Sequence, residues 1–330
     1  MSKSNLQAGW RVLSALLLWG ALCTSAVEAT AASKPYVETE PARGFHLFNR
    51  PKQKDAAAQW TYVRNLERRG KIKAACNQAL ALRIFWPYSA EAPAAQLLHA
   101  RLLEQRKQLL ASFDAYQYLV EHYVGHFEFD AAIEAQMYLA KTLMDQKKGK
   151  FLFLPGFTAP ERAIPLFEKI VASAPEWRGA AEAYYLIGVA HDRIYEYTEA
   201  IDSFFTTMNR FPDSAFAERA AFDQAQCHIK LSHDAPHDKR AIDTAIAACD
   251  LYLQRYPASD HRTQIEKAIA KLRTQQIETA YKLALYYDRI LHKPEAALIE
   301  YTEFVALFPN APQTPAARAR IAQLQPKPEK

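Results

Sequence analysis

The stretch AEAYYLIGVAHDRIYEYTEAIDSFFTTMNRFP, Ala181 to Pro212, decides the fold. Tyr184, Ile187 and Phe204 recur at helical spacing, so they fill a seam between two amphipathic helices. Gly188 and Ala200 are small, which lets the two helices approach closely. Pro212 cannot continue a helix interior, so it stops the second helix and turns the chain. Asp213-Ser214 then offers a start signal for the next helix.

The same frame repeats outward in both directions. Ala75 and Leu82 lead to Pro87, Ser112 and Tyr116 to Val124, and Ala163 and Phe167 to Pro175. Downstream, Ala245 and Cys249 lead to Pro257, and Ala297 and Tyr301 lead to Pro309. The phrase AYYLIGVAHDRIYEYTEAI from Ala183 is echoed by AYKLALYYDRILHKPEAAL from Ala280. The pattern resembles the tetratricopeptide repeat, with bulky-x-x-Leu-Gly, then Ala, Phe and Pro. His191 stands where that repeat prefers Tyr, and Thr207 where it prefers Ala. The expected fold is all-α: a tetratricopeptide-type solenoid of about six helix pairs. Neighbouring pairs cover each other's apolar faces, and the first helices line a concave groove.

Composition agrees. Half of the 330 residues are apolar and only nine are Gly, which suits a helical protein. The formal net charge of +5 is spread without a block of like charges, as on a solvated helical surface. No basic reading helix or RNA-binding aromatic motif is present, so nucleic acid is not an expected partner.

Residues 1–31 read as a signal peptide. Lys3 and Arg11 precede the apolar run Val12–Leu22, which is too short to span a bilayer comfortably. Cleavage after Ala29 or Ala31 fits the small residues there. Cys23 is the alternative endpoint, as a lipidated cysteine, although Leu22 is a poor residue to precede one. Residues 32–58, with Pro35, Pro41 and Pro51, read as a flexible leader. The solenoid is expected over 59–324, with Ala316 to Leu324 as a capping helix and 325–330 as a disordered tail.

Cys76, Cys227 and Cys249 remain after the leader. Cys227 and Cys249 fall about 10 Å apart in height on neighbouring helices at about 1.5 Å per residue. A disulfide needs Cα atoms within about 7 Å. Buried free thiols are therefore expected.

Catalytic signatures are missing: no G-x-S-x-G, H-E-x-x-H, P-loop or C-x-x-C occurs. The histidines of HIKLSHDAPHD (His228, His233 and His237) sit with Asp234 and Asp238 in a metal-like cluster, but Asp234-Ala235-Pro236 reads as a polar loop. No catalytic residue, cofactor or metal is expected, and the chain reads as a non-enzyme that holds other proteins.

Two departures from the short repeat remain. Gly149 to Thr158, GKFLFLPGFT, is an apolar insertion that either tucks into the core or meets a partner. Asp260 to His292 reads as one long helix, striped by Ala268, Leu272, Ile277, Tyr281 and Leu285. The insertion after Met137-Tyr138, the phrase Ala163/Phe167, and Arg255-Tyr256-Pro257-Ala258-Ser259 before the long helix with Tyr281, Tyr286 and Tyr287 together resemble the BamD family. These are periplasmic lipoproteins of outer-membrane β-barrel assembly, and the resemblance covers roughly Gln59 to Pro309. Six pairs exceed the five of that family, and the poor lipobox at Cys23 departs from it.

The resemblance implies a scaffold at the periplasmic face of the outer membrane of a Gram-negative-type bacterium, associated with it peripherally. Its implied partners are the barrel-assembly subunit, other assembly components and unfolded outer-membrane protein segments. The other reading is a periplasmic repeat adaptor of cell-envelope division or peptidoglycan maintenance. Candidate partner-binding residues are Arg101, Tyr138, Tyr185 and Asp192 on first helices, with Phe153 and Phe157 in the insertion.

Overall fold

The computed structural model describes residues 50–148 and 157–325. Six helix pairs follow one another. They are α1 (Ala56–Arg68) with α2 (Ile72–Phe85), α3 (Ala92–Gln105) with α4 (Leu109–His122), and α5 (Phe129–Asp145) with α6 (Ile164–Ser173). Then come α7 (Ala180–Arg193) with α8 (Tyr197–Arg210), α9 (Ala217–Asp234) with α10 (Lys239–Arg255), and α11 (Arg262–Leu285) with α12 (Pro294–Leu307). The helix α13 (Thr314–Leu324) packs on α12 and ends the stack. The chain is thus a helical solenoid of repeats, with the six pairs and the terminal cap read from the sequence.

One small residue near the start of each second helix makes the close seam possible. Ala75, Ser112, Ala163, Ala200, Ala245 and Ala297 are all fully buried. Four residues on stand Tyr116, Phe167, Phe204, Cys249 and Tyr301, also buried. Gly188 shows why size matters on the facing helix: a Cβ there would lie 2.6 Å from the Phe204 ring. Cys76, Cys227 and Cys249 are buried free thiols, as expected.

The second helices end in one recurring turn. The last N–H reaches back to the carbonyl four residues before it, as in Trp86 to Leu82 and Phe211 to Thr207. Two successive three-residue steps then lead into the next helix. Ser89 N donates to Trp86 O and Ala92 N to Ser89 O, and Ser214 and Ala217 repeat the arrangement after Phe211. This corrects the reading of Asp213-Ser214 as a helix start. α9 begins at Ala217 with Phe216 in the cap position, because Ser214 is spent as the corner of the turn.

The leader boundary also moves. α1 starts at Ala56, three residues before the expected 59, capped by Asp55 accepting from Ala58 N at 2.8 Å. Lys52 N and Gln53 N both donate to buried Gln59 Oε1 at 3.0 Å, so this part of the leader is tied to the first pair. The long helix is α11, continued by a π turn over Tyr286–Ile290. The third pair carries a two-stranded antiparallel ribbon, β1 (Lys147–Lys148) and β2 (Phe157–Thr158), with Lys148 opposite Phe157. Among the described residues no helix is long and apolar enough to cross a membrane. Residues 1–31, expected as a signal peptide, together with Cys23, Phe153 and residues 326–330, lie outside the described residues.

Candidate partner-binding groove

The first helices α5 and α7 of neighbouring pairs face each other across an open cleft of about 540 Å³. The third pair differs from the others in the way that would open it. Its second helix, α6, has ten residues where α2, α4, α8 and α12 have 14. Its first helix, α5, runs to 17 residues and ends at the ribbon.

Met137, Tyr138 and Trp177 give the cleft its apolar surface. Met137 is buried, while Tyr138 projects with 58% of its surface exposed. Trp177 reaches the cleft because Gly179 has no side chain: a Cβ there would lie 2.2 Å from the indole ring. Three ion pairs cross from α5 to α7 or the turn before it. Glu134 meets Arg178, Lys141 Nζ meets Glu182 Oε1 at 2.5 Å, and Asp145 Oδ1 meets Arg193 Nη1 at 2.8 Å. Five of the six charged groups are well exposed and Glu182 is partly buried, so each pair adds little stability. Their effect is on recognition: the charges on the walls are matched within the chain, and the unmatched feature offered to a partner is aromatic.

The expected binding residues fall in different places. Tyr138 lines this cleft. Tyr185 and Asp192 lie farther along α7, in its seam with α9. The Tyr185 hydroxyl donates to Asp223 Oδ2 at 2.7 Å, and its ring packs against Phe204 and Phe216. Burial raises both the Tyr185 hydroxyl and the Asp223 carboxyl above their ordinary ranges. Asp192 accepts from Lys230 Nζ at 2.5 Å and from Cys227 Sγ at 3.3 Å. These two residues stitch repeats together. Arg101 stands on α3 beside Tyr116 of its own pair, outside the cleft. Phe157 opens β2 at the end of the insertion.

Trp177, Arg178, Gly179, Lys141 and Glu182 were not anticipated. One signal for Trp177 was present. Its turn, Ala174-Pro175-Glu176-Trp177, carries an indole where the equivalent corners carry Ser89, His126, Ser214, Ser259 and Ala311.

A second constellation resembles chemistry at first sight. Cys76 Sγ lies 3.4 Å from His99 Nδ1, with Arg106 Nη1 3.5 Å from the sulfur. But the same Nδ1 is 3.0 Å from the Cys76 carbonyl, which can only accept. Nδ1 therefore carries the proton and cannot take one from the thiol. Burial holds His99 neutral, down to about 4, and pushes the Cys76 thiol up. The arrangement is a packed, protonated thiol. Among the described residues no three His, Cys, Asp or Glu side chains converge as a metal site.

No known family profile matches the chain. Over 161 residues it is 22% identical to the outer membrane protein assembly factor BamD of Caulobacter vibrioides, covering 49% of this chain and 52% of that protein. The chain therefore spans about half the length of the curated relative it matches. Solved structures similar to it include a tetratricopeptide repeat protein from Parabacteroides merdae, 13% identical over 82% of this chain and 98% of that one, with a TM-score of 0.32. Another is PilF of Pseudomonas aeruginosa, 12% identical over 80% of this chain and 96% of that one, with a TM-score of 0.28. The chain is thus a helical repeat protein with a weak similarity to an assembly factor.

Proposed function

We propose that this protein is a periplasmic, non-catalytic scaffold of outer-membrane β-barrel assembly. In this reading it binds the barrel subunit and presents the α5–α7 cleft to unfolded outer-membrane protein segments. The observation that carries the reading is the similarity to BamD over 161 residues. Two further features support it. An open, aromatic cleft between first helices suits an extended or helical peptide, because several repeats can each contribute a contact. The matched wall charges favour capture through Tyr138, Met137 and Trp177 over capture by net charge.

The test is affinity isolation of the tagged protein from cross-linked envelopes of its own cell. The barrel-assembly subunit is the expected co-purifying protein. Recovery of division or cell-wall proteins alone would reject the assembly role in favour of an envelope adaptor.

A further inference from the structure

The hydrophobic core is interrupted along α11. The first half of this helix buries Ile265, Ile269 and Leu272 among residues of α8 to α10, and the second half buries Ala284 among residues of α12 and α13. Between Leu272 and Ala284 no residue of α11 is fully buried. A cavity of about 330 Å³ opens at this gap. Its apolar wall comes from Ile242 on α10, Ala280 and Leu283 on α11, Tyr286 in the π turn and Phe308 at the end of α12.

The walls are fixed in place. Gln275 Nε2 and Thr279 Oγ1 both donate to Pro236 O, at 3.2 and 3.3 Å, and Gln276 Nε2 donates to Asp243 Oδ1 at 2.5 Å. Across the mouth, Lys239 Nζ of α10 meets Glu303 Oε1 of α12 at 3.0 Å. The hollow is therefore built into the packing.

Exposed apolar side chains surround it. Leu283, Tyr286 and Ile290 are 43%, 47% and 65% exposed and follow at three- and four-residue spacing. On α12, Ile299 and Leu307 are 66% and 52% exposed. They stand four residues either side of Glu303 and so share the face on which Glu303 meets Lys239. Charge of both signs surrounds it, with Glu278 beside Lys282 on α11 and Asp243 near Lys239 on α10. His237, Lys239 and Lys282 line the α10–α11 side, while Glu300 and Glu303 belong to α12. Within the chain Lys239 pairs with Glu303, and Lys282 pairs more loosely with Glu278 at 3.6 Å.

One face thus holds an apolar hole, apolar knobs, a cationic bank and an anionic bank. A two-fold interface demands this self-complementarity, because the same patch serves both partners. We propose that the face is a self-association surface, on which a second copy of the chain docks about a two-fold axis. The Ile299–Leu307 stripe of each copy then covers the other's cavity, and each anionic bank lies on the other's cationic bank. Burial and the neighbouring Glu303 already raise the Glu300 carboxyl, and docking brings it a cation. Exposed apolar patches of this kind, when contiguous over several hundred Å², mark interaction sites on soluble proteins.

Sedimentation velocity of the purified protein tests the proposal, run from about 1 to about 100 µM, where an interface of ordinary size associates. Ile299→Asp and Leu283→Asp are compared with Leu251→Asp, which alters a 61%-exposed residue of α10 away from the cavity. The expected result is a concentration-dependent dimer. Its dissociation constant rises at least tenfold in I299D and L283D and stays unchanged in L251D, with all three retaining the parent melting curve. A protein monomeric throughout this range overturns the proposal, as does a dimer equally tight in I299D and L283D.

Discussion

At Gly188 a single hydrogen sets how closely α7 and α8 meet. The Phe204 ring occupies the space a methyl group would need. Gly188→Ala is expected to cost about 1–3 kcal/mol through overpacking, offset by roughly 1 kcal/mol of helix propensity. A thermal melt checks this, and an unchanged midpoint would show that the ring yields freely. His99 carries a different kind of cost. Its folded value of about 4 lies below the ordinary 6.5, so the unfolded chain binds the proton first. Stability is full above about 6.5 and falls as pH drops toward 4, by up to about 3 kcal/mol. His99→Gln is expected to flatten this part of the stability-versus-pH curve in urea titrations, and an unaltered slope would remove His99 from the account. Neither its burial nor the buried glutamines were legible in the sequence. Gln59, Gln96 and Gln136 interrupt the apolar pattern of the first helices, yet each is buried and donates across to a second helix or to Gln117. A reading based on apolar spacing passes over them, because it cannot see that their amide N–H groups find acceptors on the facing helices.

Among the elements, second helices were legible and first helices less so. The small residue, the bulky residue four later and the aromatic-Pro end are three local constraints on one short segment, and each has a steric cause. First-to-second turns are written in backbone conformation instead. Gly70 lies at φ +69°, and the equivalent turns place Lys107 at +60°, Tyr195 at +66° and His292 at +49°. Only one of the four carries the glycine that would have announced it. The bonds explain the shape. In three of these turns the residue after the left-handed one donates five residues back, as in Gln108 N to Leu103 O, which satisfies an end carbonyl of the first helix. Lys107→Gly should relieve left-handed strain and stabilise the second pair by about 0.5–1 kcal/mol. A lower melting temperature in that variant would mean that the lysine stem contributes more than the strain costs. The long helix was anticipated, but its π turn was not, since the sequence over Tyr286–Ile290 has no Pro or Gly to mark it.

For the whole molecule, stacking turns six similar pairs into surfaces that differ from one another. The cleft forms at the third pair, where α6 is short, and the interrupted core lies on α11, which is long. The long helix and an insertion ahead of α6 were visible in the sequence; the shortness of α6 was not. Nor was what these features create, because a cleft depends on how two distant segments, Glu134–Asp145 and Trp177–Glu182, come to lie side by side. Of the expected binding residues whose side chains are described, Tyr138 alone lines that cleft, and the role of the cleft is open to a direct check. A photo-cross-linking residue is placed at Tyr138 and, in a second variant, at Phe205, which is 56% exposed on the second helix α8. Envelope polypeptides are expected to be captured from position 138 and not from 205, and capture should fall at least tenfold when Trp177→Ala is added, as for a buried aromatic anchor. Equal capture from both positions, or capture from 205 alone, would contradict the assignment of the α5–α7 cleft as the place where partners are held.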